Sequence, residues 1–320
     1  MKTMQAAVFC GGGRTSTRRV PVPAPAPQEV CVRLAGCGVC ASNLPVWSGQ
    51  PWFRYPLAPG SPGHEGWGEV VGVGDEVEDR TVGDWVAILS DHAYAEYDVA
   101  PAELSVRLPE PLRSRPLPLE PLGCAMNILR RSDIRAGERV AVVGVGFIGA
   151  LLIQLAAHAG AEVIAFARRA YAREIACRFG AACALPFADV ATATSDAMDI
   201  TSGAGFSRVI EVVGEQEPLD LASAICAEGG RLIIAGYHQG GPRRIDMQQW
   251  NWRGLDVVNA HERNPQVIVN GLRDAARAVV DGVLNPFPLL THRYGLDALD
   301  AAFRTLQQRP DGFMKATVTL

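Results

Sequence analysis

The sequence predicts an α/β protein of two domains, one β-rich, the other a doubly wound parallel sheet. Three observations predict this. Residues 1 to about 110 hold short apolar or alternating runs separated by Gly, Pro and Asp, the pattern of an all-β unit. From about Pro121 the rhythm changes to strands alternating with helices, which implies a parallel sheet covered on both faces. A glycine fingerprint opens at Gly144, behind a block that carries Cys40, His64, Glu65 and Glu120.

In the first block, Gln5-Ala-Ala-Val-Phe, Glu29-Val-Cys-Val-Arg-Leu, Gly68-Glu-Val-Val-Gly-Val and Asp84-Trp-Val-Ala-Ile-Leu read as strands. The proline-rich stretch from Val20 to Gln28 reads as an extended edge segment before the second of them. In the next block, strands at Val140–Val143, Glu162–Ala167, Val209–Val213 and Arg231–Ala235 alternate with helices at Ile148–Ala159, Tyr171–Phe179 and Pro218–Cys226. The tail is mixed, with helices near Pro265–Asp281 and Leu296–Gln308 and a last strand from Lys315. The expected boundaries are residues 1–120 for the first part of the β-rich domain, 121–256 for the parallel-sheet domain and 257–320 for the return.

Composition narrows the class. At 320 residues, 48% hydrophobic, the chain is long enough for two cores. A net charge of −4 without a basic stripe argues against nucleic acid or an anionic membrane as partners. The N-terminus lacks the apolar core of a signal peptide, and the most apolar stretch, Leu151–Phe166, is broken by Gln154, His158, Gly160 and Glu162. Eight scattered cysteines look like thiols and ligands rather than a disulfide framework, so a cytoplasmic location is expected.

The fingerprint Gly144-Val-Gly-Phe-Ile-Gly149 follows an apolar strand and opens a helix. Gly144 permits the tight turn, Gly146 lets backbone approach a pyrophosphate, and Gly149 lets helix and strand pack closely, with Phe147 and Ile148 starting the helix. The helix N-terminus offers free N–H groups and a positive dipole end to phosphate. This is the signature of a Rossmann-type dinucleotide site. An NAD site usually has Asp or Glu at the end of the second strand, to bind the ribose 2′-OH. Here that strand ends Phe166-Ala167-Arg168-Arg169, and guanidinium suits a 2′-phosphate. NADP(H) is the expected cofactor, although a missing acid does not by itself exclude NAD.

Cys40 lies in Gly38-Val-Cys-Ala-Ser-Asn43, His64 with Glu65 in Pro62-Gly-His-Glu-Gly66, and Glu120 in Glu120-Pro-Leu-Gly-Cys124. Singly, each has a plain structural role: a buried thiol, a core histidine, a surface acid. Together they offer the S, N and O donors of a catalytic zinc with an open position. With these motifs the chain resembles the zinc-dependent medium-chain dehydrogenase/reductase superfamily, most closely its polyol and threonine dehydrogenase-like branch. The Gly83-Asp-Trp-Val, Ala95-Glu-Tyr and Pro288-Leu-Leu-Thr-His-Arg293 segments extend the resemblance over essentially the whole chain.

The resemblance implies a GroES-like β-rich catalytic domain and a Rossmann cofactor domain. It implies Cys40 and His64 as zinc ligands, completed by Glu120 or Glu65, and Ser42 as the hydroxyl that passes the substrate proton to solvent. Lys315 would lie over the cofactor pyrophosphate. Val213, and Val257 in the segment after Trp252-Arg-Gly, would border the cofactor. Relatives pair through the cofactor domain, so a homodimer or homotetramer is implied.

The chain also departs from the family. The cysteine-rich lobe for a structural zinc is missing, since Val86 runs through Ser90-Asp91-His92 almost directly into Ala95; one catalytic Zn²⁺ and no structural Zn²⁺ are expected. The acid that usually follows the relay hydroxyl is Asn43, which orients and polarises a zinc histidine less well. A relay histidine is replaced by Pro45, leaving His92 as a candidate near the substrate, or simply an exposed loop residue. Trp47, Trp52, Phe53 and Tyr55 either stack on a substrate ring or pack the β-domain.

The implied reaction is zinc-assisted, NADP(H)-linked interconversion of an alcohol of polyol, sugar or amino-alcohol type and its carbonyl compound. Two other readings stay open. One is a zinc-free NADPH-dependent reductase of an enone, quinone or imine, which Asn43 and Pro45 support. The other is a non-catalytic NADPH-binding sensor.

Overall fold

A computed structural model describes residues 2–113 and 115–320. β1 (Thr3–Gly11) buries Met4 and Ala6 to Phe9 and turns at Gly11–Gly13 into β2 (Arg14–Pro21), its antiparallel partner in a separate two-stranded sheet. The prolines therefore begin where β2 ends, and Val22 still reaches back to the Lys2 carbonyl at 3.0 Å. β3 (Glu29–Gly38) is buried along most of its length, with only Arg33 exposed, and is the hub of the larger sheet. After it come α1 (Leu44–Ser48), β4 (Gly66–Val73), β5 (Trp85–Ile88), β6 (Tyr97–Pro101), β7 (Ser105–Arg107) and α2 (Leu119–Ser132).

Parallel-sheet elements then alternate: β8 (Arg139–Val143), α3 (Phe147–His158), β9 (Glu162–Ala167), α4 (Ala170–Arg178), β10 (Cys183–Pro186), α5 (Val190–Thr201), β11 (Phe206–Glu211), α6 (Gln216–Ile225), β12 (Cys226–Ile234), α7 (Met247–Arg253) and β13 (Asp256–Asn259). The chain ends with α8 (Pro265–Val280), β14 (Leu290–Gly295), α9 (Leu299–Gln308) and β15 (Lys315–Thr319).

Two compact units result, Met1–Gly123 with Ile268–Leu320, and Cys124–Val267. The first carries the sheet β14-β15-β3-β4-β5-β7, with β6 also on β3. Its core closes on Phe303 of α9, fully buried against Phe9, Tyr94 and Trp47 at ring separations of 5.5, 6.1 and 5.7 Å. The second is a sheet in the order β10-β9-β8-β11-β12-β13, every pair parallel. That is the doubly wound order, with a topological switch between β8 and β11. Its inner strands β8 and β9 are buried on both faces, so they read as continuous apolar residues. α3 is apolar nearly all round, as a helix buried in the sheet's cover must be.

The structure moves two boundaries. The expected break at 120/121 falls inside α2, at Gly123/Cys124. The return, expected at 257, comes after Val267, because β13 pairs in register with β12 from Arg231↔Asp256 to Ile234↔Asn259 and completes the parallel sheet. β10, α5 and α7 are elements the sequence pattern does not announce, and β12 already starts at Cys226, where the sequence suggests helix. Among the described residues no helix is long and apolar enough to cross a membrane.

Candidate metal centre and dinucleotide cradle

The metal centre grows from one strand pair. In the antiparallel ladder Cys37 of β3 faces Gly66 of β4, so the chain leaving β3 and the chain entering β4 run side by side. Cys40 lies just past the end of β3, and His64 and Glu65 lie just before β4. Donor atoms of Cys40, His64 and Glu65 all fall within 4.8 Å of one another. His64 Nδ1 is 3.0 Å from the Pro62 carbonyl, which can only accept, so Nδ1 carries a proton and Nε2 is the nitrogen left to meet a ligand. Burial lowers the affinity of His64 for a second proton. Cys40, by its electrostatic interaction and hydrogen bond, then Glu120 and Glu65, outweigh burial and hold the pKa well above the ordinary histidine value.

Glu65 is almost wholly buried, and its two oxygens differ. Oε1 accepts from Lys315 Nζ at 2.6 Å, while Oε2 has no hydrogen-bond partner among the described residues. A buried carboxylate oxygen left this way is costly unless something supplies charge. A Cβ at Gly38 would stand 1.7 Å from that oxygen, so only glycine leaves it room. Thiolate sulfur, imidazole nitrogen and an unpartnered carboxylate oxygen form a donor set that fits Zn²⁺. Glu120, second residue of α2, stands outside this 4.8 Å group and acts on it through its charge.

The surroundings differ from the sequence expectation at several points. Lys315, expected over a pyrophosphate, is buried and gives its ammonium to Glu65, because a desolvated cation needs an anion at contact distance. Burial alone would lower its pKa, but Glu65, Cys40 and Glu120 raise it, so it stays charged. Asn43 does not take over the role of the missing acid: its Nδ2 donates to the same Pro62 carbonyl at 3.0 Å, so a backbone oxygen orients His64 and the amide holds that oxygen. Ser42 Oγ lies 3.2 Å from Cys40 Sγ and 3.4 Å from Asn43 Oδ1, its proton shared between them.

Trp47 belongs to the core rather than to a substrate wall: it is buried, stacked on Phe303, and donates from Nε1 to Asp300 Oδ1 at 2.9 Å. His92 is exposed on the loop before β6. Tyr94 went unnoticed in the sequence. It is fully buried, its hydroxyl donating to the Gly38 carbonyl at 3.2 Å and lying 3.4 Å from Asn43 Nδ2. Burial holds its pKa well above the ordinary tyrosine value, so it braces the centre as a neutral group. No spacing rule links it to Gly38, 56 residues away.

In the other unit, the turn from β8 to α3 forms the cradle. Gly144 has φ +106°, and a Cβ there would meet Val213 Cγ2 at 2.3 Å; a Cβ at Gly149 would meet the Gly144 carbonyl at 2.2 Å. Gly146, by contrast, faces open space, and it caps α3 with no side-chain hydrogen bond. That leaves backbone room at a helix N-terminus where pyrophosphate would sit, and this is the fit the cofactor requires. Phe147 is buried and Ile148 half-buried at the start of α3.

β9 ends at Ala167 with Arg168 exposed and Arg169 half-buried beyond it. Arg168 pairs with Glu217 of α6 and stands 5.2 Å from the Phe187 ring. Val213 is partly exposed beside the Gly144 turn. Val257, expected beside the nicotinamide, packs on the sheet core from β13, where its register partner is Leu232.

Comparison with known proteins agrees with this geometry. Residues 26–110 match the model of the alcohol dehydrogenase GroES-like domain, and residues 148–277 that of the zinc-binding dehydrogenases. L-threonine 3-dehydrogenase of Thermococcus kodakarensis is 27% identical over 92% of this chain and 91% of its own length. L-galactonate-5-dehydrogenase of Escherichia coli is 24% identical over 85% and 86%. A Sinorhizobium meliloti 1021 protein described as a zinc-binding dehydrogenase, solved bound to NADP, superposes with a TM-score of 0.84 at 26% identity over the whole of both chains. A thermostable alcohol dehydrogenase of Pyrobaculum aerophilum gives 0.84 at 25% over the same coverage. Two catalytic-type domains in the expected order, on one chain, with relatives matched nearly end to end, make the conclusion direct: this chain belongs to the zinc-type medium-chain dehydrogenase/reductase superfamily and is an enzyme of the alcohol dehydrogenase kind.

Proposed function

We propose that the enzyme interconverts an alcohol of polyol, sugar or amino-alcohol type and its carbonyl compound, with NADP(H) as cofactor and one Zn²⁺ held by Cys40, His64 and Glu65. The observation that carries this reading is Glu65 Oε2, a buried acceptor with no hydrogen-bond partner among the described residues, beside a cysteine sulfur and an imidazole. Bound there, zinc supplies Lewis acidity to the reacting oxygen, and the nicotinamide supplies the hydride acceptor or donor. The protein's own residues do the rest. Pro62 and Asn43 hold His64 in one tautomer. Lys315 occupies one oxygen of Glu65 and matches its charge, which limits the negative charge to be balanced. Ser42 Oγ, half-buried, takes the substrate proton and hands its own to solvent, since Asn43 Oδ1 can accept a hydrogen bond but cannot hold a proton. Glu120 adds field without direct ligation.

Arg168 and Arg169, at the strand end where NAD sites carry an acid, support NADP(H). The open edge of β13 and the family resemblance support a homodimer or homotetramer, and free cysteines support a cytoplasmic setting. The Lys315–Glu65 pair favours one competing reading, a zinc-free reductase, because part of the anionic charge is already matched. Polyols, sugar alcohols and amino alcohols assayed with NADP⁺ and NAD⁺, before and after chelator dialysis, separate the two. We expect at least one alcohol to turn over, chelation to cut the rate by about 100-fold or more, and zinc to restore it. Undiminished turnover after metal removal would leave the zinc-free reading in possession.

A further inference from the structure

The second unit contains a buried carboxylate that the proposed chemistry does not use. Glu211 closes β11 and is fully buried. Its Oε1 accepts the backbone N–H groups of Val213 and Gly214 at 2.6 and 2.7 Å. Its Oε2 is 3.0 Å from His238 Nε2, and His238 Nδ1 is 3.1 Å from Arg243 Nε. A guanidinium can only donate, so Nδ1 is the unprotonated nitrogen and the ring proton sits on Nε2, pointing at the carboxylate. Arg243 closes the circuit by donating from its terminal nitrogen to the Gly214 carbonyl at 2.9 Å.

Glu211, Gly214, Arg243 and His238 thus form a hydrogen-bonded ring between the loops that leave two neighbouring parallel strands. The loops approach so closely that a Cβ at Gly236 would lie 2.2 Å from Gly214 N and 2.6 Å from Glu211 Oε2. A buried charge in a fully satisfied network fixes one conformation more than it adds stability. What it fixes here includes Val213, the residue that abuts the Gly144 turn. The strand order reverses between β8 and β11, and dinucleotides cross such sheets at that reversal, one mononucleotide to each half. Arg168 and Arg169 end β9 on the adenosine half, so the nicotinamide mononucleotide falls to the carboxyl ends of β11 and β12.

We propose that His238 and Arg243 are positioning residues for the nicotinamide half of the cofactor. Through Glu211 they lock the 211–214 and 236–243 backbone against which that half seats. This rests on the cofactor part of the function proposed above and assigns residues beyond it.

The test compares dissociation constants for whichever of NADPH and NADH binds tighter and for its adenosine half, 2′,5′-ADP or ADP. His238→Phe keeps a ring but removes donor and acceptor; it should weaken the dinucleotide about tenfold and leave the adenosine half within about twofold. His238→Gln retains one donor and one acceptor and should stay within about threefold of the parent for both. Should His238→Phe fail to fold, Arg243→Lys keeps the charge but cannot bridge His238 and Gly214, and should show the same split at about fivefold. Unchanged dinucleotide affinity, or equal weakening of both ligands, would overturn the proposal. A parent protein that binds neither dinucleotide would instead overturn the cofactor reading beneath it.

Discussion

Replacing Cys40 by serine is expected to lower kcat/KM for the alcohol by about 10³-fold or more, with NADPH affinity unchanged within about twofold. The magnitude follows from losing the softest of the three clustered donors: serine is a far weaker ligand than a thiolate, and several kcal/mol of charge stabilisation go with the ion. The selectivity follows from the fold. Cys40 lies just past the end of β3 in the first unit, while the glycine cradle belongs to the turn from β8 to α3 in the second. Steady-state kinetics with NADPH binding on the same preparation check both arms. A variant that keeps parental turnover removes the metal from the mechanism, and one that loses NADPH binding in parallel points to a folding defect.

The second large effect concerns cofactor choice. Arg168→Ala with Arg169→Ala should reduce the preference for NADPH over NADH by about 100-fold, because two charge-assisted contacts to a phosphate are lost. The loss should appear in the NADPH constant, with NADH affinity nearly untouched, since the adenosine 2′ position is the sole difference between the ligands. Arg168 now spends its guanidinium on Glu217, an exposed pair worth little in water, so it is available to a dianion at small cost. Equal affinities for NADPH and NADH in the parent would show that these arginines serve the surface of α4 instead.

Much of this architecture can be read directly from the residues, for a physical reason in each case. Strands buried on both faces, such as β8 and β9, must be continuous apolar runs, and the glycines at 144 and 149 sit where any side chain would collide. Cys40 and His64 stand out because each is a metal-donor type held in a glycine-rich turn, while the choice of Glu65 over Glu120 needs the structure, which gathers Cys40, His64 and Glu65 within 4.8 Å. Other features have no local signal. β10 and β13 are only partly buried, and α5 opens on Val, Ala and Thr, which favour helix weakly or not at all apart from Ala, so neither alternation nor helical periodicity reveals them. Trp47 is indistinguishable by composition from an aromatic in a substrate cleft, and only Phe303, far along the chain, makes it a core residue.

The hardest relations to read are long-range polar pairs. Lys315 and Glu65 are 250 residues apart, and nothing near either one names the other. His64 draws its orienting partner from a backbone carbonyl, which leaves no trace in residue identity, so the absence of an acid at Asn43 looked more serious than it is.

Zinc bound per chain, measured by elemental mass spectrometry after equilibration with zinc and exhaustive dialysis, tests the central claim most directly. The account predicts about one equivalent in the parent protein and less than about a tenth in a Cys40→Ser, His64→Ala double variant that still binds NADPH. A parent that retains no zinc, or a double variant that retains as much as the parent, would contradict it.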